Sequence, residues 1–77
     1  MTIKDLIDTL QRPVDYITVG TGYMEDRHEL YSYDGFEAES IPEPISNLTV
    51  EKWEVEAECA QISLGEIQLL YNLVITI

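Results

Sequence analysis

Residues 50–77 read Val50-Glu51-Lys52-Trp53-Glu54-Val55-Glu56-Ala57-Glu58-Cys59-Ala60-Gln61-Ile62-Ser63, then Leu64-Gly65-Glu66, then Ile67-Gln68-Leu69-Leu70-Tyr71-Asn72-Leu73-Val74-Ile75-Thr76-Ile77. Trp53, Val55, Ala57 and Cys59 alternate with Glu54, Glu56 and Glu58. Period-two alternation marks a strand with one buried face and one wet face. The closing run is apolar and rich in β-branched residues, as in a central strand. Gly65 lies between the two runs and suits a hairpin loop. A three-residue loop at 64–66 would pair Ser63 with Ile67, Cys59 with Tyr71, Ala57 with Leu73, Val55 with Ile75 and Trp53 with Ile77. The apolar set then shares one face, and the glutamates hold the other. A one-residue slip would carry Leu73 and Ile75 among the glutamates, so register is strongly specified.

A helix over 50–64 is the competing reading. Val50, Trp53, Ala57, Ala60 and Leu64 have helical spacing, Thr49 suits the N-cap and Gly65 the C-terminal stop. That helix would place Val55, Cys59 and Ile62 on its opposite side, making both faces apolar. The strand is preferred.

Working outward, residues 2–11 predict a helix. Thr2 is a good N-cap, and Asp5 three residues on approximates a capping box. Met1 and Leu6 occupy the staple positions. Ile3, Leu6, Ile7 and Leu10 form one apolar stripe, read as a core face laid on the sheet. Pro13 ends the helix at or before Arg12. Residues 15–20 predict a strand with Ile17 and Val19 inward and Tyr16 and Thr18 outward. Gly20-Thr21-Gly22 reads as a loop without the spacing or lysine of a phosphate loop. Glu25-Asp26-Arg27-His28-Glu29 reads as a solvated hairpin loop, because one histidine without a compact ligand set does not make a metal site. In 30–36, Leu30 is expected inward, Tyr31 and Tyr33 outward, and Asp34-Gly35 marks a tight turn. Residues 37–41 could add a short edge strand, guarded by Glu37 and Glu39. Pro42 and Pro44 make 41–47 a stiff crossover. The expected fold is α+β: a single domain spanning residues 1–77, with one N-terminal helix on a four- to five-stranded antiparallel sheet in two layers.

Charge bounds the function. Fifteen acids against four bases give a net charge of −11 over 77 residues. Such a chain opposes autonomous binding to nucleic acid, which needs cationic contacts to phosphate. It also opposes binding to anionic membrane surfaces. It favours a basic partner, and many strongly basic protein surfaces exist to hold nucleic acid. An apolar content of 45% separates the chain from disordered acidic tails.

Cys59 is the one cysteine, so no intramolecular disulfide forms, and its place on the inner face suggests a small core residue. The opening residues lack the form of a signal peptide, and the expected location is the cytoplasm. No activated nucleophile or elbow motif is present, and chance alone pairs carboxylates among fifteen acids. The reading is non-enzymatic, with no catalytic residue, metal or cofactor.

The candidate partner-binding residues are Glu54, Glu56 and Glu58 with Tyr16, Tyr31 and Tyr33 on the wet face, joined by Glu25 and Asp26. Glutamates two apart on a strand repeat every ~6.7 Å, comparable with the repeat of phosphates along a nucleic-acid strand. Tyrosine adds rigid amphipathic contact area.

Met1, Ile3, Asp5, Leu6 and Ile7, followed by Asp15-Tyr16 and a β-like run to Gly20, resemble the start of small phage-encoded anti-CRISPR proteins; size and acidity are similar too. The resemblance spans residues 1–20 and implies a phage protein acting in the host cytoplasm. Such proteins occupy the Cas effector surface that reads the PAM duplex, their acids standing in for DNA phosphates. The leading expectation is therefore an acidic inhibitor, a DNA mimic of anti-CRISPR or anti-restriction type, bound to a basic nucleic-acid-binding protein such as a Cas effector or restriction enzyme. The alternative is a small structural or assembly protein. It would form a homodimer or complex through Tyr71, Leu73, Val74, Ile75 and Ile77.

Overall fold

The computed structural model describes residues 1–10 and 13–77, with the side chains of Met24 and Ile62 left aside. The expected end of the first helix, at Gln11 and Arg12, lies outside the described residues. Helix α1 (Ile3–Thr9) is followed by β1 (Tyr16–Thr21), a 3-10 turn (Met24–Asp26) and β2 (His28–Asp34). A 3-10 helix (Gly35–Ser40) and the short α2 (Glu43–Ser46) lead to β3 (Lys52–Ser63) and β4 (Glu66–Thr76). The architecture is α+β, with a four-stranded sheet in the order β2-β1-β4-β3.

The sheet is mixed, which corrects the antiparallel expectation. β1 pairs antiparallel with β2, and β4 antiparallel with β3, but β1 and β4 run parallel. The cause is the connection between β2 and β3. Its two helical turns carry the chain back over the sheet, so β3 starts at the end where β2 started. β4 must then return alongside β1 in the same sense. Residues 37–40 of the anticipated edge strand belong to the 3-10 helix instead, and Ile41 follows it as the C-cap. Asp34-Gly35 opens that helix rather than a hairpin, and the Asp34 N–H donates to the Glu37 carboxylate at 3.3 Å.

Residues 50–64 are strand, not helix, from Lys52 to Ser63. The hairpin register differs from the expected one by two residues. Trp53 opposes Ile75, Val55 opposes Leu73, Ala57 opposes Tyr71 and Cys59 opposes Leu69. The turn is shorter, Ser63 pairing with Glu66 across Leu64-Gly65, and the register shifts between Gln61 and Ser63. Gly65 takes φ +85°, a conformation that suits glycine. A two-residue shift preserves the assignment of faces, which is why the apolar set stays together.

One face of the sheet carries the core. Ile17 and Val19 of β1 and Leu73 and Ile75 of β4 are fully buried against Ile3 and Leu6 of α1, with Ile41 joining from the crossover. Thr2 caps α1 with the expected capping box: its hydroxyl accepts from the Asp5 N–H, and the Asp5 carboxylate accepts from the Thr2 N–H. Asp5 is held below the usual carboxylate range, chiefly by that backbone hydrogen bond. The N-terminus is also stitched to the crossover, the Ile3 N–H donating to Leu48 C=O and the Val50 N–H to Met1 C=O. Helix and crossover therefore form one layer over the sheet.

Candidate functional site

The opposite face positions the candidate acids. Glu54, Glu56 and Glu58 project from the outer strand β3, and all are exposed. Their β4 neighbours are Val74, Asn72 and Leu70. On β1, Tyr16 stands beside Asn72 and Thr18 beside Val74. Tyr16 and Glu56 thus flank Asn72 in one row, roughly 10 Å apart at the usual strand spacing. The Thr18 hydroxyl donates to Asn72 Oδ1 at 3.1 Å and holds the centre of that row. Tyr16 is exposed and Val74 half-buried, with α1 and the crossover on the far side.

A loop closes one end of this face. The Arg27 guanidinium lies over Gly20, donating to Thr76 Oγ1 at 2.7 Å and to Ile75 C=O at 3.2 Å. The Lys52 ammonium sits 4.5 Å from the centre of the Tyr23 ring. The Tyr23 hydroxyl donates to the Glu51 carboxylate. That hydrogen bond, more than desolvation, raises the Tyr23 phenol above its usual range. Both cations at this end are thus engaged within the chain. Glu25 and Asp26, in the adjacent 3-10 turn, are exposed at the same end.

The structure therefore unites Glu54, Glu56, Glu58 and Tyr16, with Glu25 and Asp26 at the rim. It separates Tyr31 and Tyr33. Tyr33 pairs with Ile17 and Tyr31 with Val19, which puts both tyrosines on the core side of the sheet. Tyr33 packs half-buried against the core, and burial raises its phenol. Leu30, expected inward, is exposed at the irregularity where Val19 pairs with Tyr31 but Gly20 pairs with Glu29. The extra residue there breaks the alternation, so the pattern of 28–33 misreports its own faces. Thr21, expected in a loop, completes β1 one residue beyond the predicted end of the strand.

Sequence reasoning missed two features. Glu29 and Asp34 take positions on β2 opposite Gly20 and Tyr16, so acids occupy both outer strands. The pairing of β1 with β4, not local pattern, brings them into one sheet. The second feature is the length of the β3–β4 hairpin. Asp15 terminates the β1–β4 ladder: its carboxylate accepts from the Tyr71 N–H at 2.8 Å, and its N–H donates to Tyr71 C=O at 2.9 Å. Beyond Tyr71 the hairpin continues as a two-stranded arm. Cys59 lies on this arm and is exposed, contrary to the core position expected for it. Its face is the apolar one, but the helical layer does not reach it.

A concavity lies between α1 and the crossover, lined by Lys4, Asp8, Glu39 and Glu43 around Ile7 and Ile41. Among the described residues no group of three or more His, Cys, Asp or Glu side chains is placed to hold a metal ion. Among them, too, no helix is long and apolar enough to cross a membrane. No protein-family model, curated protein or solved structure matches the chain.

Proposed function

We propose that this chain is a non-enzymatic acidic inhibitor whose glutamate-bearing sheet face binds the basic nucleic-acid-binding surface of another protein. The observation that carries the reading is the ladder of Glu54, Glu56 and Glu58 on an outer strand. It stands in register beside Tyr16, and two cations among the described residues at one end of this face, Lys52 and Arg27, are engaged with Tyr23, Thr76 and Ile75. The exposed ladder can meet external cations. Its ~6.7 Å repeat lets it stand in for a strand of phosphates. A net charge of −11 would steer a basic partner into contact and make association fast and salt-sensitive. The resemblance of residues 1–20 to anti-CRISPR proteins favours a Cas effector as target; a restriction enzyme presents equivalent chemistry. Both place the site of action in the cytoplasm.

The test is charge reversal. Glu54→Lys, Glu56→Lys and Glu58→Lys together change only exposed side chains, so the domain should keep its fold by circular dichroism. Binding to the basic partner should be lost. Unchanged affinity in the folded triple variant would remove this face from the interface.

The assembly reading has a specific observation in its favour as well, the exposed apolar side of the arm. Of the residues expected to carry it, Leu73 and Ile75 are fully buried in the chain's own core, Ile77 packs half-buried against that core and Val74 lies on the glutamate face, leaving Tyr71 with neighbours further along the hairpin.

A further inference from the structure

The core side of the sheet does not end where α1 and the crossover end. It continues along the outer strand β3 as Trp53 and Val55, and out onto the arm as Cys59, Ile67, Leu69 and Tyr71, all on one face by the strand register. Ile67 is 73% exposed, Leu69 51%, Trp53 46% and Val55 44%. We infer that this surface is the interface of a homodimer, in which the arms of two copies pack face to face.

Three observations select a second copy as the occupant. The first is charge segregation. Among the described residues of the β3–β4 hairpin this face carries no charge, whereas Glu54, Glu56 and Glu58 all lie on the reverse. Face-to-face packing therefore brings two uncharged surfaces together and turns both glutamate ladders outward, as far apart as two sheets allow. A basic partner would be drawn to the reverse face instead.

The second observation concerns the edge of β3. Two copies could in principle join by pairing this long outer strand. Antiparallel pairing about a two-fold axis keeps like faces together, so it would set glutamates against glutamates and is opposed by repulsion. The face remains available where the edge is guarded.

The third is size. The exposed side chains amount to roughly 500 Å² per copy, at the upper end for a contiguous apolar patch on a monomer. Paired, they bury about 1,000 Å², the lower bound for a specific interface. Each arm would cover in the other what the helical layer leaves bare. Sheets packed in this way lie about 10 Å apart, as in a β-sandwich.

This dimer does not depend on the acidic face, and salt separates the two. Salt should weaken binding of a basic partner but preserve or tighten the dimer, because it screens repulsion between copies of charge −11. The experiment is sedimentation velocity on the full chain from about 1 μM to about 1 mM, a range that covers weak and moderate dimers. Trp53, the one tryptophan, lies in the interface and gives a second reading. The expected result is assembly to twice the 8.8 kDa chain mass, with Trp53 emission shifting to shorter wavelength as the dimer forms. Leu69→Glu and Ile67→Lys replace exposed side chains and should each return the mass to 8.8 kDa with an unchanged far-ultraviolet spectrum. A wild type that stays monomeric throughout would overturn the inference. So would a dimer that persists in either folded variant, or one that forms with no change in Trp53 emission.

Discussion

Of the glycines, Gly35 has the least room for a side chain. A Cβ built there would sit 1.6 Å from the Val14 carbonyl oxygen, and the Gly35 N–H donates to Asp15 C=O at 2.8 Å. The end of β2 is thus pressed against the segment that leads into β1. Gly35→Ala has to push backbone apart, and overpacking of that kind costs about 1–3 kcal/mol or more. Urea unfolding of this variant should show a clear fall in midpoint; an unchanged midpoint would mean the contact relaxes freely. Tyr23 sets a second residue-level expectation. Its phenol is raised by its hydrogen bond to Glu51. A raised acid holds its proton more tightly in the folded chain. The stability it adds is therefore complete below the ordinary phenol range and is lost as pH rises through the folded value. Stability at strongly alkaline pH should fall more in the wild type than in Tyr23→Phe, as read by denaturation across that range. Parallel curves would contradict the assignment.

At the scale of elements, α1 is the clearest product of local sequence. Thr2, Asp5 and the Ile3/Leu6 stripe specify its start and its buried side, and the structure has both. Thr2→Ala should cost about 1 kcal/mol by removing the cap. The Asp5 contribution has the opposite pH sense to that of Tyr23. A lowered carboxylate adds stability above its unfolded value and loses it as pH falls through the folded one. Acid denaturation of Asp5→Asn should thus begin from a less stable protein and show a shallower pH dependence than the wild type. The β3–β4 hairpin was legible for the same reason as α1. Alternation of Trp53, Val55 and Ala57 with glutamates is a local pattern, and its faces survive a two-residue error in register. What could not be read was non-local. Nothing within 28–33 reveals the extra residue that turns Tyr31 and Tyr33 to the core side. Nothing within 35–51 states that the crossover reverses direction and makes β1 parallel to β4. Two of the three candidate tyrosines, Tyr31 and Tyr33, thus fall on the core side, while Glu54, Glu56, Glu58 and Tyr16 share the opposite face. Cys59 was assigned to the right face but to the wrong environment, since sequence pattern gives the side of a strand and not the extent of the layer packed on it.

At the scale of the molecule, two surfaces of opposite character share one hairpin. The glutamates line one side of β3, and the apolar arm residues line the other. The alternation that fixes the fold thus also separates an acidic face from an apolar one. We propose that the acidic face recognises a basic nucleic-acid-binding surface. The most direct test is affinity capture by the tagged chain from lysate of the cells in which it operates. Capture would be run at low and high salt, with and without competing duplex DNA or RNA, beside the folded Glu54/Glu56/Glu58→Lys variant. The wild type should retain a nucleic-acid-binding protein at low salt. High salt or nucleic acid should release that protein, and the variant should not retain it. Capture that resists both salt and nucleic acid, or that the charge-reversed variant performs equally well, would contradict the account.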